Sequence, residues 1–251
     1  MIMNNFDLMQ IADRLESMEE TIISRILDRM QYKKNSPVYS TDKVLIKNTL
    51  SPCAFSPLDY MHKQIEQIFA QLGKFTVAEE KPFFHDTTLP INANIVQNKE
   101  NFTKDILSEI NITDKVKAHY LSFINNSCEN GDDGEYGSTA EADISALVAV
   151  SKRIHYGSFY VAESKFLSNP PAYKEAVKAN DKEAVMAMLT RKEVEEKIIL
   201  RVQEKCDKIQ DAYTSKLRKK IDSYLIGNFY ENTIIPLTKE GELKYLFARA
   251  K

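Results

Sequence analysis

Near the start of the chain, apolar side chains recur as Leu8, Ile11, Leu15, Met18, Ile22 and Ile26, with charges filling the gaps. Steps of three and four residues place them on one stripe, which predicts an amphipathic helix of about seven turns. The polar, proline-containing stretch KKNSPVYSTDK ends it. Ser56-Pro57 predicts the start of a second helix reaching about Gly73, since proline is tolerated in a first turn. Residues 74–100 hold PFF and LPI but no sustained period, so a long loop packed by its aromatics is expected. A helix near 113–126 leads into the loop ENGDDGEYG, whose acids lack the spacing of a calcium site and are accounted for by solvation.

Beyond that loop, Ser138-Thr-Ala-Glu141 has the form of a capping box. It predicts a helix through Ile144, Leu147 and Val150, unbroken to Phe166, where SNPP stops it. Asn180, with Glu183 three residues on, predicts the start of a short helix. Thr190-Arg-Lys-Glu193 forms a second capping box and opens a long charged helix through Ile199, Val202 and Ile209. A last helical region covers 221–251, in which Pro236 forces a kink or break and FARAK is a frayed end. The expectation is an all-α, multi-helix fold in one domain, 1–251.

Composition agrees with that picture. With 251 residues, 43% hydrophobic and 28% charged, the chain has ample material for a core. Only 7 glycines and 8 prolines leave few tight turns, which favours long helices. A net charge of −2 supplies no pull toward nucleic acid or an anionic membrane. No uninterrupted apolar run is long enough to cross a bilayer. Cys53, Cys128 and Cys206 lie far apart, in neither a disulfide nor a zinc pattern, and MIMNNFDLMQ lacks the features of a leader. A cytoplasmic protein is the expectation.

The candidate chemistry starts in RIHYGSFYVAESKF, residues 153–166, where Arg153 and Lys165 sit on a segment otherwise suited to a core. Buried cations need partners, from the chain or from a ligand. Taken singly, Arg153 fits a surface arginine or a partner of Glu163, and Lys165 a charge complementing a helix C-terminus. Glu195 fits the opposite helix end, and Thr238 a helix cap. His155 suits a satisfied core position, and Met18, Met30, Met186 and Met188 suit packing.

Several stretches in order, GDDGEYGSTA, SKRIHYG, VAESKF, EAVMAMLT, VEEKI and IIPLTKEGELKYL, resemble the yeast- and plant-type chorismate mutases. MEETII, PVY and KPFF extend the resemblance over nearly the whole chain. It implies an all-helical homodimer that rearranges the dianion chorismate to prephenate, on the route to phenylalanine and tyrosine, without nucleophile, metal or redox cofactor. It assigns Arg153 to a substrate carboxylate and Lys165 to a carboxylate and the breaking ether oxygen. Glu195 would hold the substrate hydroxyl, while Thr238 and Glu242 line the same pocket. Glu242 faces the ether oxygen and helps there only as a proton donor. Four residues apart on a helix, Thr238 and Glu242 share a face.

Two departures bear on activity. The family carries a carboxylate-binding arginine at the position of Ala12, and Arg14, two residues on, is turned by roughly 200° around a helix. Ala12→Arg is therefore expected to raise activity, and no gain would mean that Arg14 or another cation fills the place. Secondly, the family spacing from arginine to lysine is eleven, whereas Arg153 and Lys165 are twelve apart, which leaves them about 120° apart on an ideal helix. A one-residue π-bulge near Gly157–Tyr160 would restore a common face. These departures favour a second reading, a catalytically weak mutase-fold protein acting as a ligand-binding or dimeric interaction module. Retention of Lys165, Glu195, Thr238 and Glu242 argues against it.

Some family members bind an aromatic amino acid effector at a dimer interface, through a basic pair and a Gly-Ser. Gly137-Ser138 is retained, but the basic pair corresponds to Gly73-Lys74 and Glu141 replaces a threonine. A loop ending in a helix cap is enough by itself to account for Gly137-Ser138.

Overall fold

A computed structural model describes residues 7–41, 55–87, 102, 106, 110–213 and 216–250. Among the described residues there is no strand. Helix α1, Leu8–Arg29, opens where the Asp7 carboxylate accepts a 2.8 Å bond from the Met9 amide. Its 22 residues make about six turns, one fewer than the apolar pattern suggested. Helix α2, Pro57–Gln71, is capped by Ser56, whose hydroxyl accepts from the Asp59 amide. Gly73 closes it with a left-handed φ of 79°. The loop beyond is tied down by Glu66, which accepts from the amides of Phe83 and Phe84 at 2.7 and 3.0 Å. Phe83 also packs on the His62 ring, so the aromatic packing expected of this loop holds for its described part. Residues 88–100, with LPI, and Cys53 lie outside the described residues.

Helices α3, Thr113–Ser127, and α4, Tyr136–Tyr156, follow. Neither capping box forms. Asp132 and Asp133 accept from the amides of Gly134 and Glu135, turning the chain early enough for α4 to begin two residues before Ser138. Ser138 instead donates to the Glu135 carboxylate at 3.2 Å. Thr190 donates back to the Met186 carbonyl at 2.9 Å, so its hydroxyl closes the preceding helix.

The unbroken helix expected up to Phe166 is interrupted by a π turn at Gly157–Val161, after which α5 spans Ala162–Ser168. SNPP does stop α5, yet Pro170 also begins α6, Pro170–Lys178, a helix missing from the sequence-based expectation. Asn180 ends α6 in the left-handed region (φ 53°), with its amide on Val177 and that of Asp181 on Ala176. Asp181 therefore replaces Asn180 as the cap of α7, Lys182–Leu189, accepting from Ala184 at 2.9 Å. Helix α8 is Lys192–Asp211, and α9 is Ser223–Phe229. A second π turn, Tyr230–Ile234, runs directly into α10, Ile235–Arg249. Pro236 causes no break, because the widened turn ahead of it absorbs the missing amide. FARAK is not frayed over its described part: α10 includes Phe247–Arg249, and Arg249 reaches Glu163 at 3.1 Å.

The two largest of three apolar clusters make up most of the interior. One gathers Ile22, Ile26, Tyr120, Leu147, Val202 and Phe229, the other Ile11, Phe159, Phe166, Val185 and Tyr245. Helix α1 spans both. Met30 joins the first and Met188 packs against the second, whereas Met18 and Met186 are only half-buried. Buried Arg29 reaches Asp143 at 2.8 Å and Tyr39 at 2.8 Å, fastening the segment after α1 onto α4. His155 is fully buried between the Ser151 carbonyl and the Ile112 amide, and burial pushes its pKa down to about 3, as a core histidine requires.

Close approach of α10 to the first π turn depends on Gly241. A methyl group there would overlap the Ser158 side chain, itself buried and bonded to the Ile154 carbonyl. Gly241→Ala is expected to destabilise the fold by about 1–3 kcal/mol through overpacking. Denaturant unfolding checks this, and an unchanged midpoint would show that the turn yields freely.

Candidate active site

Between the two clusters, residues Ala12, Leu15, Glu16 and Glu19 of α1 form one wall of a cavity of about 270 Å3. Arg153 from α4, Val161 from the π turn and Lys165 from α5 form a second wall. Glu195 and Ile198 of α8, with Ile235, Thr238, Lys239 and Glu242 of α10, enclose the rest. All five residues singled out in the sequence thus line one space. The π turn explains how: its extra residue takes up the twelfth step, so Arg153 and Lys165 face the same cavity.

Arg153 is buried, and its Nη1 donates to Thr238 Oγ1 at 3.3 Å. Its guanidinium lies 5.4 Å over the Tyr230 ring, and its Nε has no partner among the described residues. It is neither a surface arginine nor paired with Glu163, whose carboxylate takes Tyr245 Oη at 2.6 Å and Arg249. Thr238 donates to the Ile234 carbonyl at 2.7 Å and lies inside α10, so it is not a helix cap.

Lys165 Nζ donates to the Leu189 carbonyl at 2.9 Å and to Glu242 Oε2 at 3.0 Å. These bonds hold the ammonium at the cavity wall. Glu242 is 4% exposed. Burial raises its pKa above the usual carboxylate range, against the opposing pull of Lys165, Arg153 and Lys239. A carboxyl that keeps its proton toward higher pH can donate a hydrogen bond into the cavity. Glu195 is half-buried and accepts from Lys239 Nζ at 3.0 and 3.1 Å.

Lys239, Arg191 and Arg201 also line the cavity and were absent from the sequence-based set. Arg191, Val194, Ile198 and Arg201 lie at steps of three and four, a pattern that could have marked the cavity-facing stripe of α8. Arg201 is fixed by Glu19 through bonds of 2.9 and 2.6 Å. Ala12 faces the cavity, whereas Arg14 is exposed and not part of the lining, as its helical angle predicts.

The residues considered for regulation lie elsewhere. Lys74 sits 4.3 Å over the Phe69 ring beside α2. Ser138 lines a separate cleft with Arg25, Asp28 and Tyr32, next to Gly137 at the start of α4.

The cavity pairs apolar walls with clustered cations and one buried carboxyl of raised pKa. Such a space suits a compact polyanion with an apolar ring. No family model matches the chain. Chorismate mutase 2 of Arabidopsis thaliana is 32% identical over 255 residues, covering 98% of this chain and 94% of that protein. The chorismate mutase of Saccharomyces cerevisiae is 32% identical over 248 residues, covering 97% and 95%. Among solved structures, a Candida albicans chorismate mutase in complex with L-Trp superposes with a TM-score of 0.87 at 29% identity, covering 98% of this chain and 92% of that one. Another, with phenylalanine bound in its allosteric site, gives 0.83 at 34% identity, covering 100% and 99%. With identity of this level along almost its whole length, the chain belongs to the chorismate mutase family of yeasts and plants.

Proposed function

We propose that the cavity between α1, α4, α5, α8 and α10 rearranges chorismate to prephenate, with Arg153, Lys165, Glu195, Thr238 and Glu242 as its working residues. One observation carries this reading: five polar side chains drawn from four helices meet around a single space. Chorismate is a dianion that must be folded into a compact conformer before its ether bond breaks and the new carbon–carbon bond forms. Both events belong to one unimolecular step, so the protein needs to supply shape and charge.

Arg153 grips one carboxylate through a guanidinium already steadied by Thr238 and Tyr230. Its Nε, without a partner among the described residues, offers a further donor. As the ether bond lengthens, negative charge gathers on its oxygen. Lys165 and protonated Glu242, adjacent to each other, donate to that oxygen and act more strongly on the transition state than on the ground state. Glu195 accepts from the ring hydroxyl, with Lys239 holding its carboxylate in place. Apolar Leu15, Val161 and Ile198 exclude water from the remaining surface.

The direct test is to mix the purified chain with chorismate and follow its loss by ultraviolet absorbance. Loss no faster than in buffer would favour the interaction-module reading. We also infer a homodimer in the cytoplasm, with an aromatic amino acid as effector, supported by the family resemblance and by relatives solved with phenylalanine or L-Trp bound. Light scattering at twice the chain mass, and a shifted chorismate saturation curve on adding tryptophan or tyrosine, are the expected results. A monomer indifferent to both amino acids would refute the dimer and effector inferences.

A further inference from the structure

Six cations line the cavity: Arg153, Lys165, Arg191, Lys197, Arg201 and Lys239. Three of them are held by acids from the chain. Lys165 meets Glu242 at 3.0 Å, Lys239 meets Glu195 at 3.0 Å, and Arg201 meets Glu19 at 2.6 Å. Arg153 is buried against Thr238 and Tyr230. Among the described residues, the side chains of Arg191 and Lys197 make no hydrogen bond or ion pair. Two exposed cations therefore reach a cavity in which three other cations are held by acids and Arg153 is buried against Thr238 and Tyr230.

Their positions separate them. Arg191 occupies the N-cap of α8 and heads the stripe Arg191, Val194, Ile198 and Arg201 that faces the cavity. Lys197 is one residue off that stripe, about 100° around the helix from Ile198. The backbone at Arg191 is anchored from both sides. The Leu189 carbonyl, two residues before it, accepts from Lys165 at 2.9 Å, and the Arg191 carbonyl accepts from the amides of Val194 and Glu195. Because Leu189 accepts from Lys165, which also meets Glu242, the backbone at Arg191 lies at the Lys165–Glu242 end of the space.

We propose that Arg191 closes the mouth of the cavity on one carboxylate of the substrate and sets its affinity, a specificity role for dianions over monoanions. This rests on the chorismate reading above. A planar guanidinium without an acidic partner is matched to a carboxylate fork, and no desolvated ion pair has to be broken to engage it. Because the group is exposed and touches a carboxylate that does not react, the contact is the same before and during bond breaking. Such uniform binding appears in KM and leaves kcat almost unchanged. It also leaves little for an arginine at position 12 to add, so Ala12→Arg should gain less than about three-fold.

The test compares the full chain with Arg191→Ala, Arg191→Lys and Lys197→Ala in the chorismate absorbance assay, with thermal melting as a control for folding. Expected for Arg191→Ala is a KM raised about ten-fold or more with kcat within two-fold, the scale of a charge-assisted contact. Arg191→Lys should keep part of the affinity, and Lys197→Ala should leave both constants within two-fold. Added salt should raise KM for the native chain more than for Arg191→Ala. An active native chain with KM unchanged in Arg191→Ala overturns this proposal alone. So does a loss confined to kcat, or a ten-fold effect of Lys197→Ala. A native chain with no turnover overturns the chorismate reading beneath it.

Discussion

Lys165→Ala is expected to lower kcat/KM for chorismate by about a thousand-fold or more, the largest effect of any single change in the cavity. Lys165 presents its ammonium from a side chain only 14% exposed, locked between the Leu189 carbonyl and Glu242. A charge fixed in advance, out of bulk water, stabilises a developing oxyanion without having to reorganise. On the proposed mechanism, alanine removes that charge from the position where the ether oxygen gains density, and removes a carboxylate contact as well. Folding should survive. Glu242 loses its bonded cation, but burial already favours its neutral form, so no uncompensated charge is left behind. Circular dichroism melting separates the two effects: a melting point near that of the native chain with activity gone is the expected pair of results. A loss below ten-fold would remove Lys165 from the chemistry.

Glu242→Gln is expected to change the shape of the pH profile. Burial holds the Glu242 carboxyl above its usual range, so it stays protonated to higher pH than a surface glutamate. The dianionic substrate, bringing more negative charge beside it, pushes in the same direction. On the proposed mechanism the useful form is the acid, because only the acid can donate to the ether oxygen. Below its raised pKa activity is therefore full, and as pH rises through that value the proton is lost and the rate falls. Glutamine keeps an N–H donor at every pH, so its profile should be flat where the native one declines. The variant should then overtake the native chain on the alkaline side. Rates of kcat/KM measured across pH 5–9 check this, pH being set by the experimenter. Identical profiles would exclude Glu242 as the titrating donor.

Much of the fold could be read from the apolar periodicity, because a helix must turn one stripe toward the core wherever it packs. Local polar signals were less dependable. Ser138 and Thr190 stand in sequences that suit capping boxes, yet each hydroxyl has a nearby acceptor, Glu135 or the Met186 carbonyl, that takes it first. SNPP reads as a stop, but proline is as acceptable in a first turn as it is unacceptable in an interior, and α6 begins on Pro170. The extra residue between Arg153 and Lys165 could be located by helical arithmetic. That the chain accommodates it as a π turn, against Gly241 of α10, is a matter of packing.

For the candidate site, the sequence alone proposed Arg153, Lys165, Glu195, Thr238 and Glu242, through motifs whose order resembles one family. It also determined that Arg14 points away from Ala12, since 100° per residue holds in any regular helix. Only the tertiary structure decided which other charges join them. Lys239 lies beside Thr238, and Arg191 and Arg201 lie on one stripe with Val194 and Ile198, but their facing a cavity depends on how α8 packs on α1 and stands across the cavity from α10. The same packing decided which cations are held by Glu19, Glu195 or Glu242, and which are left for a ligand. Periodicity governs the angle of a side chain about its own helix. Partnership between helices far apart in sequence is settled only when their surfaces meet and water leaves.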